Sequence, residues 1–174
     1  MRPAEPPGRI ETLNGVQIYF EVHGTGEPLL LVHGFSGSSQ DWIASKANWG
    51  TRMQLIIPDL RGHGRSSILS KAFRHEEAAA DMLGLLDHLG IGPCKGVGVS
   101  GGGNVLLHMA TRQPERVRAM VLVSATSYSP EQARHIMSAI PQSRLWIIPN
   151  GGHGPVIGDK WPEFIRTALA FLQE

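Results

Sequence analysis

The sequence predicts an α/β fold: a mostly parallel sheet with an N-terminal antiparallel hairpin and helices on both faces. Three observations carry this. Short continuous apolar runs such as Leu29–Val32 and Met53–Pro58 read as strands buried on both faces. Between and after them stand stretches with apolar residues at three- and four-residue spacing, the helical period. Ahead of them lies an alternating segment broken by Asn14-Gly15, a hairpin turn signal. A length of 174 residues suits one domain with one core. We place it at residues 10–174, after a flexible lead-in of residues 1–9.

The hairpin spans Ile10 to His23, with Val16, Ile18, Phe20 and Val22 on one face of its second strand. Leu29–Val32 and Met53–Pro58 follow as strands. His75 to Leu89 is predicted helical, because Ala79, Met82, Leu83, Leu86 and Leu89 share a face, and Gly90 ends it. Lys95–Val99 is the next strand. The helix Gly102–Arg112 stops before Pro114. Ala119–Val123 is again a strand. Ser129-Pro130-Glu131 is a helix-start signal for a helix reaching about Ala139. Leu145–Ile148 is the last strand. Trp161–Leu172 closes the chain as a helix with Phe164, Ile165, Ala168, Leu169 and Leu172 inward.

Composition excludes several classes. Sixteen basic and fifteen acidic residues leave a net charge of +1 without a basic run, so neither nucleic acid nor an anionic membrane surface is expected as a partner. No apolar run approaches the ~20 residues of a membrane span. The N-terminus lacks the apolar core of a signal peptide, and the single cysteine, Cys94, allows no intrachain disulfide. A cytoplasmic location is the expectation.

The strongest chemical signal is Gly98-Val99-Ser100-Gly101-Gly102, a G-x-S-x-G pattern between a strand and a helix. Such an elbow projects a serine hydroxyl above the sheet edge. It also sets the following N–H and the helix N-terminus beside the place where an oxyanion develops. Gly96, Gly98 and Gly101 also fit G-x-G-x-x-G, but the first two lie inside the strand, which rejects a dinucleotide loop. His33-Gly34-Phe35 follows the Leu29–Val32 strand, where a second oxyanion donor belongs, and Phe35 N–H is the candidate. His33 is read as a histidine that holds this loop rather than as a base. Asp59-Leu60-Arg61-Gly62-His63-Gly64-Arg65-Ser66 is a polar turn, with Asp59 read as bracing it through Arg61 or Arg65 in preference to serving as an active-site carboxylate. Gly151-Gly152-His153-Gly154 puts a glycine-flanked histidine after the last strand, at the edge where ligands bind in such sheets. His153 is the candidate general base for Ser100. No histidine pair has metal-ligand spacing, and neither a metal nor a cofactor is expected.

Taken together, these four motifs, in this order, resemble the α/β-hydrolase fold superfamily, most nearly its bacterial esterase and enol-lactone-hydrolase-like branch. The resemblance covers about Ile10 to Phe171. It implies Ser100 as nucleophile, His153 as base, and the N–H groups of Phe35 and Gly101 as oxyanion hole. It implies a small-molecule ester as substrate.

The chain also departs from the family pattern. Members commonly run to about 250–300 residues, with a helical cap, a further strand and a turn bearing the catalytic Asp before the final strand. Here the cap, that strand and that turn are absent, with the join near Met137–Ser138. No aspartate lies between Asp87 and Asp159. Glu115 belongs to the far edge of the sheet, and Asp159 is expected to cap the closing helix. Glu131 ranks first as a substitute acid, behind a bare Ser–His dyad. The expected form is therefore a reduced, capless α/β-hydrolase. Its last strand either pairs with Ala119–Val123, shifting the His153 loop by one strand spacing of ~4.8 Å, or leaves the sheet to be completed by a second chain in a homo-oligomer. The expected activity is serine ester hydrolysis. A non-catalytic or impaired binding or scaffold protein is the alternative, and perhydrolase or haloperoxidase-like chemistry a weaker one.

Overall fold

A computed structural model describes residues 8–70, 72–125, 134, 138, 144, 153–154 and 158–173. Among these residues six strands form one mixed sheet: β1 (Arg9–Leu13), β2 (Val16–His23), β3 (Glu27–Val32), β4 (Met53–Pro58), β5 (Cys94–Val99) and β6 (Val117–Val123), in the order β1-β2-β4-β3-β5-β6. The hairpin β1/β2 is antiparallel, and β2 runs antiparallel to β4. The pairs β4/β3, β3/β5 and β5/β6 are parallel. The Asn14-Gly15 turn has positive φ at both residues (49° and 81°), the geometry that matches strand twist in a two-residue hairpin. Among the described residues, no helix is long and apolar enough to cross a membrane.

Alternation along the strands divides the interior into two layers, one on each face of the sheet, as helices on both faces require. On one face, Ile18, Phe20, Leu30, Val32 and Ile56 pack against Ala79, Met82 and Leu86 of helix α2 (His75–His88) and Val105, Leu106 and Met109 of helix α3 (Gly101–Arg112). On the other, Leu29, Leu31, Leu55, Ile57 and Val97 meet Trp42, Trp49, Phe164, Ile165 and Leu172. The last three of these come from the closing helix α4 (Trp161–Leu172). Trp49 belongs to α1 (Ile43–Trp49), which the sequence reading did not anticipate. Seven residues bury only Ser45 and Trp49, too few to show a period. The overlooked signal is the cap of the 3₁₀ turn that leads into it: Ser38 and Asp41 form a reciprocal capping box at Ser39–Trp42.

Further predicted elements differ at their ends. Strands β3, β5 and β6 each begin one or two residues earlier than their apolar runs, at Glu27, Cys94 and Val117. Asp159 is not the cap of α4. It lies in a 3₁₀ turn, Gly158–Lys160, and the cap position is Lys160, which makes no side-chain capping bond. Pro162 occupies the first turn, where a missing N–H costs nothing. Arg134 and Ser138 are helical, whereas the rest of the helix predicted from Ser129 and the strand Leu145–Ile148 lie outside the described residues.

Two buried polar networks fasten the layers. Arg61 binds Asp81 on α2 through Nε (2.6 Å) and Nη2 (2.9 Å) and also reaches Glu77, and Asp81 accepts from Asn14 Nδ2 of the hairpin turn at 3.1 Å. On the opposite face, Glu21 is buried among Tyr19 Oη (2.9 Å), His23 Nε2 (2.8 Å), Lys46 Nζ (2.5 Å) and Arg65 Nη2 (3.4 Å). Burial alone would raise the Glu21 pKa. The hydrogen bonds from Lys46, His23 and Tyr19 outweigh it and bring the carboxyl down to about 2 from an ordinary 4.5.

A depressed folded pKa means that Glu21 contributes stability fully above about pH 4.5 and loses it as pH falls toward 2. Urea unfolding measured from pH 5 down to pH 2 is expected to show a shallower loss of stability in Glu21→Gln than in the native chain. The variant is also expected to be the less stable of the two at pH 7, because Lys46 and His23 lose their charged partner.

Candidate active site

The site forms where the sheet changes direction. From β3 the chain leaves toward β4, and from β5 toward β6, so the two loops part and leave a crevice at the strands' carboxyl ends. The register sets Val32 opposite Gly98. His33-Gly34-Phe35 and Ser100-Gly101 therefore emerge side by side.

Ser100 sits at φ 53° and ψ −120°, immediately before α3. Its N–H donates to Val123 O at 2.8 Å, and its carbonyl accepts from Gly103 N (3.0 Å) and Asn104 N (3.3 Å). The neighbouring glycines are sterically required. A Cβ on Gly98 would lie 2.6 Å from Gly102 O, and one on Gly102 would lie 2.3 Å from Val32 O. Backbone thus packs on backbone at the elbow, and β5 can approach the β3 loop closely.

His153 reaches this point. Its Nε2 lies 2.9 Å from Ser100 Oγ. His153 is exposed and Ser100 half-buried. Among the described residues no carboxylate pairs with His153. Glu131, the first-ranked substitute acid, lies outside the described residues. Glu115 is exposed in a 3₁₀ turn (Pro114–Arg116) that precedes β6, at the opposite end of the sheet from Ser100.

Phe35 and Gly101 flank the serine. Among the described residues neither N–H has a hydrogen-bond partner. A Cβ on Gly34 would come within 3.2 Å of Ser100 Cβ, which shows how near the β3 loop lies. The loop is held from behind. Asp59, fully buried, accepts from Ser39 N at 2.6 Å and Arg65 N at 2.8 Å. Arg65 Nη2 donates to Ser39 Oγ at 2.8 Å. Of the two arginines proposed as partners for Asp59, it is Arg65 that pairs with it (3.4 Å).

His33 is buried and its tautomer follows from its neighbours. Nε2 accepts the Leu60 N–H at 2.9 Å, so the proton is on Nδ1, which donates to Gly34 O at 2.7 Å. Burial pushes its pKa down, which keeps the ring neutral and the Nε2 lone pair available. His33 thus braces the β3 loop against the β4 loop and does not face Ser100.

The structure adds residues that no sequence pattern singled out. The Phe35 ring, 55 % exposed, packs edge-on against Phe73 (4.9 Å between centroids) and His75 (5.8 Å), and His63 tilts against it at 5.7 Å. Phe73 and His75 stand at the start of α2, and only the sheet order brings them to the crevice.

These features can be set beside known proteins. The family model of the alpha/beta hydrolase fold matches residues 27–140. A non-heme haloperoxidase of Rhodococcus erythropolis is 34% identical over 114 residues, 64% of this chain and 42% of that one. A thermophilic esterase of Thermogutta terrifontis superimposes with a TM-score of 0.65 at 31% identity, covering 76% of this chain and 52% of the esterase. A predicted CIB-like hydrolase of Thermoplasma acidophilum superimposes with a TM-score of 0.84 at 22% identity, over 96% of this chain and 97% of the other. The chain spans less than half the length of the curated relatives it matches.

The two histidines should separate by stability. His33→Ala leaves the Leu60 N–H buried and unpaired and is expected to cost about 1–3 kcal/mol in urea unfolding. His153→Ala, at an exposed position, is expected to stay within about 0.5 kcal/mol of the native chain.

Proposed function

Because this chain belongs to the alpha/beta hydrolase fold family, we propose that it is a serine hydrolase cleaving carboxylic esters of small substrates through an acyl-enzyme. The observation that carries this is the 2.9 Å approach of His153 Nε2 to Ser100 Oγ at the mouth of the β3/β5 crevice. A neutral His153 takes the hydroxyl proton as Oγ attacks the ester carbon. The negative charge then developing on the carbonyl oxygen meets the N–H groups of Phe35 and Gly101 and the positive end of α3. His153 returns the proton to the departing alkoxide, and the alcohol leaves. Water, deprotonated by the same ring, attacks the acyl carbon, and the carboxylic acid is released with Ser100 restored.

A bare dyad suffices for this cycle. A carboxylate behind the histidine fixes its tautomer and stabilises the imidazolium, and its loss costs about 10⁴ in turnover without abolishing the oxyanion contribution. Slow hydrolysis is therefore expected. The half-buried serine, exposed histidine and exposed Phe35 support an open, capless site that takes short esters with little selectivity.

Two further readings each have one observation behind them. The absence of any aspartate between Asp87 and Asp159, where the family's catalytic acid would fall, supports a non-catalytic binding protein. The similarity to a haloperoxidase favours transfer of the acyl group to hydrogen peroxide, read out as peracetic acid formed from acetate.

Hydrolysis of p-nitrophenyl acetate is expected, with Ser100→Ala reducing it to the uncatalysed rate and His153→Ala lowering kcat/KM by at least about a hundredfold. A fluorophosphonate probe should label the native chain at Ser100. A folded sample that neither labels nor turns over the ester would instead assign the chain to the non-catalytic reading.

A further inference from the structure

Two buried polar atoms near the elbow, Asn104 Oδ1 and His75 Nε2, have no hydrogen-bond partner among the described residues, and the second is the one that faces the residue after Ser100. His75 opens α2. Its Nε2 is buried and has no hydrogen-bond partner among the described residues. It lies 3.7 Å from the position a Cβ on Gly101 would take, so it faces the residue that follows the nucleophile. A buried polar nitrogen without a partner costs about 1–3 kcal/mol, and this one, unlike the indole nitrogens of Trp42, Trp49 and Trp161, lies against the residue that follows Ser100.

The surroundings fix the ring and its charge. Phe73 packs edge-on at 5.3 Å and 86°, and His108 of α3 stacks at 6.2 Å and 14°. Burial, and then the neighbouring His108, push the His75 pKa below the ordinary value, so the ring is neutral at pH 7. A neutral imidazole can both donate and accept through its two nitrogens. The Phe35 ring packs edge-on against the His75 ring at 5.8 Å, and its Cδ2 is 2.9 Å from the same Cβ position on Gly101. That ring is 55 % exposed and can turn outward about its own side-chain bonds.

We propose that His75 is a specificity-determining residue whose Nε2 hydrogen-bonds a polar oxygen on the acyl part of the ester, once Phe35 swings aside. This rests on the hydrolase reading above. The side of the substrate follows from the geometry of attack. The leaving oxygen must face His153 to receive its proton, and the oxyanion faces the Phe35 and Gly101 amides. A substituent directed to the Gly101–His75 wall therefore belongs to the acyl group. The substrate class is esters whose acyl chain carries a hydroxyl or keto oxygen on the carbon next to, or one beyond, the scissile carbonyl.

The test compares p-nitrophenyl lactate with p-nitrophenyl propionate, which differ by one hydroxyl, across the native chain, His75→Leu and His75→Gln. The native chain is expected to favour the lactate ester by about tenfold in kcat/KM, the worth of one hydrogen bond in the transition state. His75→Leu should erase the preference, read as the ratio of lactate to propionate kcat/KM within the variant. His75→Gln, which keeps a polar terminus, should restore part of it. The inference is overturned if native chain that labels with fluorophosphonate at Ser100 shows no preference, or if the preference survives in His75→Leu. In either case the hydrolase reading stands. Absence of both Ser100 labelling and ester turnover would remove the hydrolase reading, and this inference with it.

Discussion

The backbone at Ser100 is the constraint on which the rest of the site depends. A non-glycine residue at φ 53° and ψ −120° costs on the order of 1–3 kcal/mol and persists only where its surroundings over-determine it. Here they do. The Ser100 N–H is fixed to β6 through Val123 O, its carbonyl is shared by Gly103 and Asn104, and Gly98 and Gly102 let the strand, the helix and the β3 loop meet backbone to backbone. Relaxation at any of these contacts would turn the hydroxyl away from His153.

That local geometry is useful only because of where the sheet puts it. The order β4-β3-β5-β6 sends the chain away from β3 and β5 in opposite directions and opens the crevice between them. The α2/α3 layer and the α1/α4 layer then cover the two faces, so the strands between must be apolar on both sides. Among the described residues, charge enters the interior chiefly through two networks. Arg61 with Asp81 joins the β4 loop, α2 and the hairpin turn, and Glu21 with Lys46, His23 and Arg65 joins the hairpin to α1. Through Arg65 and Asp59 the second network extends to Ser39, at the far end of the loop that carries Phe35.

Much of this was legible in the sequence, for identifiable reasons. Strands β3 to β5 and helices α2, α3 and α4 carry strong period-two, period-3.6 or continuous apolar patterns, and Asn14-Gly15 and the elbow glycines encode backbone geometry directly. Helix α1 was not legible because seven residues make no period, although Ser38 and Asp41 marked its approach. The choice of Arg65 over Arg61 as partner of Asp59 is set by the fold of the turn, which residue spacing does not reveal. His75 and Phe73 are further from the reach of pattern reading. They look like ordinary residues at a helix start, and become neighbours of Phe35 and Gly101 only through long-range pairing of strands. The assignment of Asp159 as a cap failed because the 3₁₀ turn before α4 moves the cap position one residue on, to Lys160.

The position of the crevice also has a kinetic consequence. It lies between β3 and β5, whose partners Leu29 and Lys95 are separated by α1, β4 and α2 in the chain. Such non-local pairing must close a long loop before it gains any contact, whereas the β1/β2 hairpin closes over two residues. The hairpin is therefore expected to assemble early in refolding and the β3/β5 crevice late. The strained turn at Ser100 would then form after most of the secondary structure, and the interval between the two would time the docking of β5 against β3.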